Sequence, residues 1–132
     1  MGRTISKKCI ATDLAVASTA TVYCTAANVG RGSNFSLEVI VTGTTPKLTI
    51  FHQASASMTN DVDKLNSPAS PGTWRTPVVN SELRSGVTAT IFMPVYLVAS
   101  KWVRIGFTGE SGNGADVKVT VNLIIQSDTE AF

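Results

Sequence analysis

Between Lys101 and Gln126, apolar and polar residues alternate so regularly that little except β-structure with one buried face can accommodate them. Val103, Ile105 and Phe107 point one way, and Trp102, Arg104, Gly106 and Thr108 the other. After a loop, Val117, Val119, Val121, Leu123 and Ile125 hold one face, with Asp116, Lys118, Thr120 and Asn122 opposite. A period of two is the mark of a strand with a wet and a dry side. The loop Gly109-Glu110-Ser111-Gly112-Asn113-Gly114-Ala115 carries the glycines and the Asn-Gly step of a reversal, so a β-hairpin is predicted over 101–126. This stretch holds no nucleophile, metal cluster or cofactor motif.

The rest of the chain repeats the pattern more weakly. Ser18 to Ala26 alternates, with Ala20, Val22, Cys24 and Ala26 on one side. Phe35, Leu37, Val39 and Val41 face inward in the next run, and Gly43-Thr44-Thr45-Pro46 turns it into Lys47–Gln53, which predicts a second hairpin over 35–53. From Ala54 to Gly72 the pattern fails, and a connection of that length in a small domain usually makes a contact of its own. Thr73–Val79 reads as a short edge strand broken by Pro77, residues 80–86 as a loop or helical turn, and Val87–Met93 as a strand closed by Pro94. Seven or eight short strands without helical periodicity or repeats predict an all-β, antiparallel β-sandwich or barrel. The division expected is an N-terminal arm over 1–17, a β-sandwich domain over 18–126 and a C-terminal tail over 127–132.

With 132 residues, one domain is expected. Only 15% of the residues are charged, below the roughly 25% of an ordinary soluble domain, and Ser, Thr and Asn supply the polarity. Such a surface has little charge repulsion to keep neighbours apart. A net charge of +2 does not support a nucleic-acid partner, and no apolar run is long enough for a membrane-spanning helix, so neither partner is expected. No signal-peptide core is read at the N-terminus, and synthesis in a reducing cytoplasm is expected. Charge is uneven locally: Arg3, Lys7 and Lys8 make the arm basic, and Asp128 and Glu130 make the tail acidic.

Candidate chemistry is sparse. His52 is the sole histidine and shares a strand face with Leu48 and Ile50, so a satisfied, half-buried imidazole is the expectation. Asp61 and Asp63 carry oxygen ligands, but Lys64 and Leu65 follow where a calcium loop needs glycine. Cys9 and Cys24 lack partners at metal spacing, and Cys24 reads as a small buried thiol. Asn34-Phe35-Ser36 matches a glycosylation acceptor by chance length alone. No cofactor and no enzymatic activity are expected, because one histidine and scattered acids leave no acid–base pair. Trp102 and Arg104 on one face, with Trp74 elsewhere, could stack on a partner or be covered by the long connection.

Gly43-Thr44-Thr45-Pro46, the Ser85–Pro94 strand and above all Lys101-Trp102-Val103-Arg104-Ile105, with the run to Ile125, resemble the small cement, or decoration, proteins of tailed bacteriophage heads. The resemblance covers residues 27–126. It implies an eight-stranded jelly roll that assembles, commonly as a trimer, on the outside of a virion and binds the major capsid protein. Contacts are expected from the arm (Arg3, Lys7, Lys8), the 54–72 connection (Asp61, Asp63), Trp74, Trp102 and Arg104, and the 109–115 loop (Glu110, Asn113). The alternatives are a carbohydrate- or receptor-binding module exposing Trp74 or Trp102, and a shell-forming jelly-roll coat protein.

Overall fold

The structure, a computed structural model, describes residues 3–61, 65 and 73–128. Ten strands follow in chain order: β1 (Arg3–Ala15), β2 (Thr21–Tyr23), β3 (Ala27–Asn28), β4 (Asn34–Thr42), β5 (Leu48–Ser55), β6 (Trp74–Arg75), β7 (Glu82–Val87), β8 (Ile91–Val95), β9 (Trp102–Gly109) and β10 (Lys118–Asp128). They form two antiparallel sheets, an all-β sandwich as expected. The first sheet runs β1-β10-β4-β8, and the second runs β2-β9-β5-β6, with β3 also on β9 and β7 also on β5.

Two positions in the second sheet are therefore interrupted strands. Counting β2 with β3 and β6 with β7 gives eight positions, ordered 1-8-3-6 in one sheet and 2-7-4-5 in the other. That is the wrapping of a jelly roll.

Neither predicted hairpin forms. β9 pairs with β5 and β10 with β4, so the 101–126 stretch puts its two strands in opposite sheets. The 35–53 stretch does the same with β4 and β5. Alternation fixes which face a residue occupies but not which strand lies beside it. The faces themselves are as read: Val103, Ile105 and Phe107 from one sheet meet Val119, Val121 and Leu123 from the other, all fully buried. Leu37, Val39, Leu48 and Ile50 complete the same core.

Both crossings are tied at one end of the sandwich. Gly43 has φ +107°, and a Cβ there would lie 2.7 Å from the Asp116 carbonyl oxygen, so only glycine fits. Gly114 packs still closer, because a Cβ would lie on the Thr44 carbonyl. The Asp116 carboxylate accepts from the Thr44 N–H at 2.9 Å and its hydroxyl at 3.1 Å, which holds the carboxyl below its ordinary range. Gly43 and Gly114 thus let one crossing press against the other.

Residues 3–15, read as part of an arm, form the longest strand, on the edge of the first sheet against β10. Arg3 to Cys9 are all exposed, so no buried face imposes a period of two on them. Ile10 is the first residue of the strand to enter the core. The strand expected over 87–93 is divided: β7 includes most of the segment read as a loop, and β8 starts at Ile91. Pro94 lies within β8 rather than closing it, which an edge strand permits.

Candidate functional site

The two tryptophans expected as contact residues are buried. Trp102 and Trp74 are 6% and 5% exposed and form a second apolar cluster with Ala26 and Leu65, outside the main core. Trp102 Nε1 donates to the Thr59 carbonyl at 2.9 Å, and Trp74 Nε1 donates to the Leu65 carbonyl at 3.0 Å. Their apolar rings and single N–H donors hold Thr59 and Leu65 of the long connection against the second sheet. Lys101 adds to this by donating to the Met58 carbonyl at 3.1 Å and to Asn60 Oδ1 at 2.5 Å.

Arg104 is also used within the chain. Its guanidinium lies 3.7 Å from the Tyr23 ring centre and 4.7 Å from that of Trp74, and donates twice to Gln53 Oε1, at 2.9 and 2.6 Å. Tyr23 in turn meets Phe51 edge-on at 5.8 Å. The stacking capacity expected of a Trp–Arg pair is thus occupied by the protein's own rings, Tyr23 and Trp74 rather than Trp102. The register of β2 on β9, which sets Tyr23 opposite Gly106, makes this possible and is invisible in either strand alone.

Glu110 and Asn113 are struts. Glu110 Oε2 accepts from the Gly86 N–H at 2.8 Å and the Thr49 hydroxyl at 2.9 Å, and these bonds hold its carboxyl below the usual range. Asn113 is buried, accepting from the Lys47 N–H at 2.9 Å and donating to the Val16 carbonyl at 2.8 Å. The 109–115 loop is an end cap rather than a free tip.

The arm residues remain on the surface. Arg3 donates to the Gln126 amide oxygen at 3.2–3.3 Å, Lys7 is exposed opposite Ile124, and Lys8 donates to the Asn28 carbonyl at 3.3 Å. Asp61 is exposed, and Asp63 lies outside the described residues. Among the described residues no group of His, Cys, Asp and Glu could hold a metal ion, and no helix is long and apolar enough to cross a membrane.

His52 is fully buried rather than half-buried, with Nε2 accepting from the Val98 N–H at 3.2 Å. Its Nδ1, however, has no hydrogen-bond partner, so the imidazole is only half satisfied. Cys24 is buried, which pushes its thiol up to about 12; Cys9 is exposed, and both thiols are free.

An apolar edge went unread in the sequence. Val78 is fully exposed and Val79, Phe92 and Tyr96 are each at least 65% exposed. The segment after Val79 runs beside the end of β8, where Asn80, Leu83, Pro94 and Tyr96 share a cleft of about 180 Å³. Val78-Val79 between Pro77 and Asn80, and Phe92 two residues before Pro94, were the available signals of an edge.

No protein-family model and no curated protein matches the sequence. Among solved structures the chain is similar to the SPBc2 prophage-derived protein YomS, at 14% identity over 96% of both chains, with a TM-score of 0.53. It is also similar to a protein of Bacillus endospore appendages, described as a family of disulfide-linked pili: 13% identity over 98% of this chain and 93% of that one, TM-score 0.50. At such identities the likeness is one of fold, that of a single β-sandwich spanning nearly the whole of each chain.

Proposed function

We propose that the chain is a virion structural protein, a cement or decoration protein that binds the outside of the major capsid lattice as a small oligomer, commonly a trimer. The observation that carries this reading is the exposure of Phe92 on the edge strand β8 and of Tyr96 just after it, with Val78 and Val79 exposed in the segment before β7. Large apolar side chains left exposed on a small domain favour a covering partner. A charge-poor surface lowers the repulsion that close packing would otherwise meet, and symmetry lets one modest patch serve at every copy. Many weak contacts on a lattice then add through avidity. The side chains that could have served chemistry or glycan stacking, Glu110, Asn113, Trp74, Trp102 and Arg104, are committed to internal bonds. The prophage origin of YomS adds support.

Co-sedimentation with undecorated heads tests the proposal, with Phe92→Ser and Tyr96→Ser as variants expected to stay in the supernatant. A second reading, a subunit that assembles with itself, is favoured by the exposed Cys9 thiol together with the likeness to disulfide-linked pili. Filaments or closed particles formed by the purified protein alone, and dissolved by reductant in the case of filaments, would select it.

A further inference from the structure

At the end of the sandwich opposite the tied crossings, the sheets part and leave a cleft of about 780 Å³. Five segments line it, and three of them carry its cations: β1 with Ser6 and Lys8, the loop around Arg31, and Lys101 just before β9. Ile125 and Ser127 of β10 form one side, with Met58 and Asn60 of the long connection across from them. Three of the lining residues are cations and none of those described is an acid. We propose that this cleft, between β1–β10 and the loop carrying Arg31, is a binding site for an extended acidic segment of a partner protein.

The chemistry of the lining selects that class of ligand. Lys101 spends two of its three donors on Met58 and Asn60, which fixes its ammonium at the cleft while leaving a donor over. Lys8 is held similarly by the Asn28 carbonyl. Three positive groups around one concave surface focus the potential there, although the whole chain is nearly neutral. A single small anion is a poor fit, because the cations stand on separate segments and the volume suits a much larger ligand. The Ile125 side chain and the exposed Met58 thioether offer apolar contact between the charges. An extended chain with carboxylates flanking an apolar residue meets both demands. The inference concerns the cleft alone and is separate from the apolar edge that carries the lattice-binding reading.

The test uses the full-length protein and a fluorescein-labelled peptide, Asp-Leu-Glu-Ser-Asp-Leu, beside its neutral counterpart Asn-Leu-Gln-Ser-Asn-Leu, followed by anisotropy at low salt. The acidic peptide is expected to bind saturably and at least tenfold more tightly than the neutral one. Arg31→Glu and Lys8→Glu should each weaken it about fivefold or more, and Lys118→Glu, at the far end of β10, should leave it unchanged. Thermal melts of each variant separate lost binding from lost folding. Equal binding of the two peptides, or indifference to both charge reversals in folded protein, overturns the proposal. Citrate displacing the peptide at an affinity equal to the peptide's own overturns it too, in favour of a small-anion site. Heads that co-sediment a protein with no affinity for the acidic peptide would sink the cleft and leave the lattice reading standing.

Discussion

Trp102 donates its indole N–H to the carbonyl of Thr59, so a strand residue of the second sheet holds down a connection that begins more than forty positions earlier. The bond explains why a tryptophan stands on the outer face of β9. Its ring covers sheet, and its one donor meets a part-buried backbone acceptor. Trp102→Phe keeps most of the apolar area and should cost about 1 kcal/mol from the lost bond. Trp102→Ala should cost about 3–5 kcal/mol. Denaturant unfolding measures both. Limited proteolysis should cut the alanine variant within 56–72 before any other segment.

Asn113 joins two chain segments with one amide. Asn113→Ala leaves the Lys47 N–H and the Val16 carbonyl without their partner at the closed end of the sandwich. A loss of about 2–3 kcal/mol is expected in urea unfolding, from stranding buried polar groups rather than from lost volume. Ser111→Ala, in the same loop but exposed, should change stability by less than about 0.5 kcal/mol.

Acid should act in two stages. Burial lowers the pKa of His52 below 6.5, so the unfolded chain binds a proton that the folded one refuses. The stability His52 contributes is whole above the unfolded value and declines as pH falls through about 6.5 towards the folded value. Glu110 and Asp116 are also depressed in the fold, by hydrogen bonds to Gly86 and Thr44 first, and their contribution is lost only at lower pH, as each is protonated through its folded value. Melting temperature against pH should therefore begin to drop near neutrality. His52→Gln, which retains an acceptor for Val98, should remove the first stage and leave the second.

The two thiols should differ in reactivity. Cys9 is exposed and Cys24 is buried with its pKa near 12. One thiol per chain should react with a disulfide reagent in native protein and two after unfolding. Two reacting natively would contradict the packing of Cys24.

Where a strand has one dry face, the sequence exposes it: Val103 to Phe107 and Val117 to Ile125 show their buried sides by alternation alone. Arg3 to Cys9 show nothing, because a strand exposed on both faces has no pattern to display. The hairpins fail for a different reason. Gly43 and Gly114 look like reversal glycines, but they serve close approach between two crossings, a relation between residues seventy positions apart. For Trp102 the sequence allowed both an exposed face and one covered by the long connection, and the bond to Thr59 decides for the second. The apolar edge at Phe92 and Tyr96 was hidden because exposure, unlike alternation, leaves no periodic trace.

The most direct test of the lattice reading mixes purified protein with undecorated tailed-phage heads, followed by sedimentation across a range of salt. The account predicts stoichiometric recovery of the wild-type protein in the pellet and loss of Phe92→Ser and Tyr96→Ser to the supernatant, both variants remaining folded. Wild-type protein that stays in the supernatant at every salt concentration would contradict it.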